Sequence, residues 1–342
     1  MNEVTERYRS FVQRHRDKLP SVRIIPIAKQ NRYQYVGGQI DGKKLYAVVN
    51  SAEKMLVYDI EKNNLSYLGD FSKDDFKWTG GCIYKNVFYS FPRKENCLLA
   101  FDIKEGSFSE IMCPFSYSGE HHYGGVCTDS GIIYQPPRNT NSILRWDINQ
   151  RACSEIIINN GTKCRYCASV IHPGGYIYFI PEADACVLKM DIKTEEIVPV
   201  GEPVQGFAFD LKVAADGNIY GFRSGTHTSG ILKIDTKNDT VSVLHKDLNF
   251  NAYSTKLGIN GKLYSLPGYT GDVWEFDPET QKVRVIYSMD STQSIYYAGG
   301  AVDRNGDIYG LPVFSEDILV LSFNSDEEIP EDIYQHFFVD FY

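Results

Sequence analysis

One phrase recurs seven times along this chain, and its spacing limits what the chain can fold into. The phrase is a pair of small residues, a short turn, a hydrophobic residue followed by Tyr, often a Pro, and an apolar run ending in Asp. Its Tyr falls at Tyr46, Tyr89, Tyr134, Tyr178, Tyr220, Tyr264 and Tyr309. Its Asp falls at Asp59, Asp102, Asp147, Asp191, Asp235 and Asp277, with Ser322 in the seventh place. Successive Asp positions differ by 43, 45, 44, 44 and 42, and Ser322 follows after another 45. The Tyr-to-Asp distance is 13 in every unit but the fifth, where it is 15. A fixed period of that size marks an array of like supersecondary units.

Each unit reads as four strands. In the second, WTGGCIY, NVFYSF, CLLAFDI and FSEIMC alternate with turn signals. Asp41-Gly42, Asn260-Gly261 and Asn305-Gly306 stand where a tight hairpin joins first and second strands. Four strands in a repeat of about 40–45 residues predict a blade, and seven predict an all-β, seven-bladed β-propeller of antiparallel blades. The 342 residues are compatible with one such domain, and 24 Tyr, 19 Phe and 28 Gly suit short strands and tight turns.

Radial crowding at the axis favours small residues in the innermost strand. Gly37-Gly38, Gly80-Gly81, Gly124-Gly125 and Gly299-Gly300 meet that demand, and Ala168-Ser169 nearly does. The fifth and sixth units depart from it, and the spacing puts Leu211-Lys212 and Thr255-Lys256 in the same place. No outer strand follows Phe323, whereas VRIIPIA (22–28) is a strand without a blade; it is predicted to complete the seventh blade and remove an open edge. Residues 2–19 are predicted to form an amphipathic helix with Val4, Tyr8, Phe11, Val12 and His15 on one side. The resulting division is a helical extension (1–21), the propeller (22–324) and a tail (325–342). The tail's apolar IYQHFFVDFY is expected to pack on the propeller surface against that helix, or to pair as an outer strand.

GGQIDGKKLYAVV followed by LVYDIEKNN is similar to the repeat of kelch-type propellers, and the resemblance spans about residues 22–323. Kelch repeats usually carry Gly-Gly after the second strand and Trp in the fourth. Here Pro92, Pro136, Pro181, Pro267 and Pro312 take the first place and the Trp is absent, so the chain resembles a diverged kelch-like propeller. That resemblance implies either a binding scaffold or one of several enzyme classes.

A net charge of −9 argues against nucleic-acid binding and against docking on anionic membranes. The charged start MNEVTERYRSFVQRHRDKLP has no signal-like core, and no apolar run reaches membrane-spanning length. Eight Cys in a long chain without an export signal are read as reduced, mostly buried thiols of a cytoplasmic protein, expected to be monomeric. Cys164 and Cys167 form a single CxxC, too few ligands for a closed zinc site, and GxxxxGK[ST], GxSxG and HExxH are absent. Neither a metal nor another cofactor is expected.

Candidate site residues cluster where strands enter the channel. Two positions before the small pair stands an aromatic or His: Tyr35, Trp78, His122, Tyr166, Tyr253 and Tyr297, with Phe207 or Phe209 in the fifth unit. Packing accounts for most of that ring, leaving one or two hydroxyls for the channel. Lys77, His121, His122 and Arg165 lie on the inferred rim, Lys212 and Lys256 lie deeper, and the second-to-third-strand loops add Arg93, Arg138 and Arg223. So many cations on one face of an acidic protein point to an anionic ligand. Pairing with Asp75, Glu120, Glu182 and Asp210 is the structural alternative. His121 and His122, adjacent on a strand, are expected to face opposite ways and not to share a metal.

Two functions follow. One is a small anionic, carboxylate- or phosphate-bearing ligand at the channel mouth, bound only or processed by lyase or epimerase chemistry. There Lys or Arg would neutralise a carboxylate, His121 or His122 would take the proton, and Tyr166 or Tyr35 would donate to the leaving group. Some uronate lyases use seven-bladed propellers, a likeness of fold alone. The other is a non-catalytic scaffold for a protein or peptide, with Phe222, Tyr269 and Phe314 as exposed anchors. Converging cations would favour the first function, and cations paired off on a flat face the second.

Overall fold

The structure is a computed structural model; it describes residues 3–158, 164–182, 185–204, 206, 208–224, 229–248, 250–268, 270–289 and 297–342. Seven four-stranded antiparallel sheets form blades 1 to 7, beginning with the first strands Tyr35–Asp41, Trp78–Tyr84, Val126–Cys127, Tyr166–His172, Lys212–Val213, Thr255–Leu257 and Tyr297–Val302. The first strand of blade 1 packs against those of blades 2 and 7, which closes the ring. No helix among the described residues is long and apolar enough to cross a membrane.

The recurring Asp has a local cause. Its carboxylate accepts backbone N–H groups of the turn to the fourth strand: Asp102 from Lys104 and Glu105, Asp191 from Lys193 and Thr194, Asp277 from Glu279 and Thr280. In blade 7 the chain leaves the sheet here instead of turning back, and Ser322 donates to Asp307. The recurring Tyr residues are all buried in the blade cores.

The seventh blade takes its outer strand from the start of the chain. Ser21–Pro26 pairs antiparallel with Asp317–Ser322, with Ile25 opposite Ile318. Before it, helix α1 (Glu3–His15) lies across the lower face, where first strands end and third strands turn. Arg9 donates to the carbonyl of Ala215 in the blade 5 hairpin (2.6 Å), and Arg16 to Asp277 in blade 6 (2.6 Å). Val12 sits against Gly261, whose φ of +74° and lack of Cβ let the helix settle on the turn.

The tail packs against the N-terminal helix as expected through Phe338, and only its last four residues depart from surface packing. A short helix α2 (Glu331–Ile333) runs into a wide turn (Tyr334–Phe338) beside α1, with Phe337 stacked on Tyr8 at 4.1 Å and Asp332 paired with Arg7 at 2.6 Å. Residues 339–342 then turn upward into the axial channel. The amides of Gly81 and Gly300 donate to the carbonyls of Phe341 and Tyr342 at 2.9 and 3.1 Å. A Cβ on Gly80 would collide with the Phe341 carbonyl oxygen, so the axial glycines make room for the tail as well as for neighbouring blades.

Candidate functional site

Strand register corrects the placement of the axial lysines. Lys212 and Lys256 pair with Tyr220 and Tyr264, a slot held elsewhere by Gln39, Cys82, Val126, Val170 and Ala301. The glycine slots of blades 5 and 6 therefore hold Asp210-Leu211 and Ser254-Thr255. Spacing counted as in blades 1 and 2 misplaces the lysines by one, because the first hairpins of those two blades are one residue shorter than the rest: Gly38 and Gly81 stand eight residues before their Tyr, Gly125 and Gly300 nine.

The same shift divides the aromatic ring in two. Five members clasp their own blade by bonding to the start of its third strand. Tyr35 Oη donates to the Lys54 carbonyl (3.2 Å), Trp78 Nε1 to Cys97 (3.0 Å) and Tyr166 Oη to Cys186 (3.2 Å). His122 Nε2 bonds the Ser142 carbonyl (3.0 Å), and Tyr297 Oη donates to Asp317. Tyr35 and Tyr166 thus spend on backbone carbonyls the hydroxyls expected to serve as acids. Tyr253 and Phe209 stand one position later and turn to the axis, in the layer that blade 3 fills with Tyr123 and blade 4 with Cys167. Phe207 lies outside the described residues.

Into that layer rises Tyr342. Its hydroxyl bonds that of Tyr123 (2.9 Å) and its ring lies parallel to Phe209, which stacks in turn on Tyr253 at 5.4 Å. The tail thereby provides the floor of the upper mouth. Beneath it the two lysines meet two aspartates. Lys212 Nζ is 2.9 Å from both Asp210 and Asp340; Lys256 Nζ bonds Asp210 at 2.8 Å, Asp340, and the Tyr342 carbonyl at 2.8 Å. Burial disfavours the Lys212 ammonium, but Asp210 and Asp340 outweigh it and hold its pKa above the ordinary value. Two cations and two anions thus neutralise one another out of water, as buried charge requires.

The expected rim cations are also paired. Arg93 donates to Glu120 (2.7 Å), Arg138 lies 2.9 Å from Glu120 and 3.3 Å from Glu182, and Arg165 forks onto Glu182 (2.9 and 3.1 Å). Three guanidiniums and two carboxylates thus alternate across blades 2 to 4. Arg93 covers the rings of Phe76 and Tyr123, and Arg138 covers Tyr123. Only Arg165, with 53 % of its side chain exposed, faces solvent. Burial raises the Glu120 pKa, but Arg93 and Arg138 more than reverse that and hold it low.

The histidines do not face opposite ways. The chain is irregular at this point, and His121 Nδ1 meets His122 Nδ1 at 2.9 Å while His121 Nε2 bonds the Glu95 carbonyl at 3.0 Å. Both rings are buried; burial lowers the His121 pKa, and it takes His122 down to about 3 with His121 adding to the effect. Burial favours the neutral imidazole at both, and two neutral rings carry only two N–H groups for the three contacts at Nδ1–Nδ1, Glu95 and Ser142.

The remaining candidates scatter. Lys77 is buried and gives its ammonium to the carbonyls of Ser72 and Asp74 (2.8 and 2.9 Å). Arg223 is buried with a 3.4 Å contact to the Ser229 carbonyl, and no carboxylate pairs with it among the described residues. Phe222, expected as an exposed anchor, is buried against Phe250 because its alternate face points into the blade; Phe314 is half-buried beside Tyr33. Tyr269 lies outside the described residues. All eight Cys are free thiols, and no cluster of three metal-ligating side chains occurs among the described residues. At the lower opening a cavity of about 510 Å³ lies beside the tail, with Lys212, Asp340, Ser169 and Cys127 in its wall.

Sequence reasoning missed Tyr123, Asp340 and Tyr342. The signal for Asp340 was present: a lone carboxylate inside FFVDFY needs a buried cation.

The fold defines a seven-bladed β-propeller, and its solved neighbours are propellers. Among them, a streptogramin B lyase superposes with a TM-score of 0.73 at 12% identity, over 89% of this chain and 98% of that one. The virginiamycin B lyase of Staphylococcus aureus superposes with a TM-score of 0.75 at 13% identity, over 89% and 99%. Hydrazine synthase of Kuenenia stuttgartiensis superposes with a TM-score of 0.68 at 14% identity, over 87% and 98%. At such identities the likeness is one of fold. No known protein family matches the chain, and no curated protein matches it in sequence.

Proposed function

We propose that the upper mouth binds a small carboxylate- or phosphate-bearing molecule, which lays a planar group on the aromatic floor and meets the arginines at the rim. The observation that carries this reading is the chain Arg93, Glu120, Arg138, Glu182, Arg165, which leaves one positive charge over beside Tyr123, Tyr253 and Phe209. Arg165 is its exposed end, and an arriving anion shares that guanidinium with Glu182. Lys212 and Lys256 take no part while Asp340 occupies them. A thermal-shift screen against uronates, sugar phosphates and aromatic carboxylates tests this. Stabilisation by at least one such anion, weakened about tenfold in apparent affinity by Arg165→Ala, is expected; no stabilisation by any of them refutes it.

Lyase or epimerase action is a second reading, favoured by the propeller lyases among the neighbours, one of them solved as a catalytically inactive histidine variant with quinupristin. Here it requires His121, whose Nε2 carries the proton that it gives to the Glu95 carbonyl, to part its Nδ1 from His122 and accept the ligand's proton there. A protein or peptide partner on this face is the alternative favoured by the paired charges, and an anion screen without hits directs attention to it. Kelch-like kinship, a cytoplasmic location and a monomeric state belong to the same proposal.

A further inference from the structure

Cys113 and Cys153 come from adjacent blades yet meet thiol to thiol. Cys113 follows the outer strand Ser107–Met112 of blade 2, and Cys153 lies in the outer strand Ala152–Ile157 of blade 3. Their sulfurs are 3.8 Å apart, and both residues are only partly buried. From this geometry we infer that Cys113 and Cys153 form a reversible disulfide when the protein meets a peroxide, stapling blade 2 to blade 3. The inference is independent of what the upper mouth binds.

Access sets this pair apart, since Cys82 also meets Cys127 across adjacent blades but both of those are buried. A disulfide needs sulfurs about 2.05 Å apart, so the two thiols have less than 2 Å to close, and half-buried side chains at blade edges have room to move that far. By contrast Cys82 and Cys167 are fully enclosed, and burial pushes both thiols up, away from the reactive thiolate. At the pair itself the thiols are polarised in opposite senses. The Cys153 S–H holds the Cys113 pKa down; burial opposes this and the Phe115 amide assists it, while the Cys153 pKa is raised. We assign the attack to Cys113; because either sulfur can donate to the other, the closure is the same with the roles exchanged.

The balance is that of a peroxide-driven two-electron oxidation. The Cys113 thiolate attacks one peroxide oxygen, the O–O bond breaks, and a sulfenic acid forms with loss of water or an alcohol. Cys153 then attacks the Cys113 sulfur, the S–O bond breaks, and hydroxide leaves and takes up the Cys153 proton as water. Two thiols and one peroxide give one disulfide and two molecules of water, or water and an alcohol. A dithiol restores the starting state.

The staple falls at the outer edge of the ring, at the root of the crossing that leads from blade 2 to the upper mouth. Residues 114–122 cross from blade 2 to blade 3 and carry Tyr117, Glu120 and His121. Tyr117 already ties the crossing to blade 3, its hydroxyl donating to Glu155 (2.8 Å) and its ring stacking on His121 at 4.7 Å. A covalent bond between Cys113 and Cys153, two residues from Glu155, fixes the same crossing more firmly.

The test is to treat the full-length protein with one equivalent of hydrogen peroxide, alkylate, and map the thiols by mass spectrometry. The expected result is loss of two hydrogens, a cross-linked peptide containing Cys113 and Cys153, reversal by dithiothreitol, and a Tm higher by about 5 °C in the oxidised form. In Cys153→Ser the oxidation should stop at a sulfenic acid on Cys113 that dimedone captures. Alkylation of both residues after peroxide, or cross-linking to other partners instead, overturns the inference on wild-type protein alone.

Discussion

Lys256 of the sixth blade holds Asp340 of the tail at the axis, and the same ammonium reaches Asp210 of the fifth blade at 2.8 Å and the Tyr342 carbonyl at 2.8 Å. Its side chain is fully buried. Removing one member of such a cluster leaves its partners charged and unpaired. Lys256→Met should therefore destabilise the protein by about 3–5 kcal/mol. Pairing it with Asp340→Asn should recover part of that loss, because the two changes share one interaction. Urea unfolding of the two single variants and the double variant measures this; a Lys256→Met loss below about 1 kcal/mol would show that the cluster is not closed as described.

The tail shields two axial amides, so truncation after Val339 should uncover them. Hydrogen exchange at Gly81 and Gly300, which donate to Phe341 and Tyr342, should accelerate well beyond exchange in the outer blade ladders. Equal protection of both amides in the truncated and full chains would contradict an inserted tail.

Closure by the first strand gives unequal weight to neighbouring residues. Ile25 is buried opposite Ile318, whereas Ile24 is 37% exposed. Ile25→Ala should cost about 2–4 kcal/mol and Ile24→Ala less than about 1 kcal/mol. Thermal and urea unfolding compare them, and equal losses would mean that the strand does not dock with this face inward.

Buried imidazoles make stability fall in mild acid. Burial, then His121, takes His122 down to about 3, against an ordinary value of 6.5. Above pH 6.5 both folded and unfolded states are neutral there and stability is complete. As pH falls from 6.5 toward 3, the unfolded chain takes up a proton that the folded one refuses, and stability is lost at about 1.4 kcal/mol per pH unit. Burial moves His121 and His172 in the same direction. The Tm should drop steadily between pH 7 and 5, with a smaller slope in His122→Phe. A flat profile over that range would exclude buried neutral histidines.

Where local chemistry acts within one unit, the sequence was legible. The Asp of the phrase serves its own turn, the small pair meets crowding common to blades with that pair, and an orphan strand at one end answered a missing one at the other. The site was less legible. Lys212 and Lys256 stood out as cations at the axis, but their partner Asp340 is 128 and 84 residues away and comes from outside the repeat. Tyr253 and Phe209 stood out as aromatics, but register puts them one position after the blade-clasping slot, which Ala208 and Ala252 hold in their blades, so they face the channel while Tyr35 and Trp78 clasp theirs.

The sequence by itself determined the number of blades, their strand order and their closure, because period, alternation and turn chemistry are local and repeat seven times. Only the tertiary structure decided how the axis is filled. Which side chain reaches it depends on strand register, and which charge neutralises which depends on a tail that no repeat predicts. Burial makes that pairing obligatory, since a lysine out of water must find an anion, and the chain supplies its own.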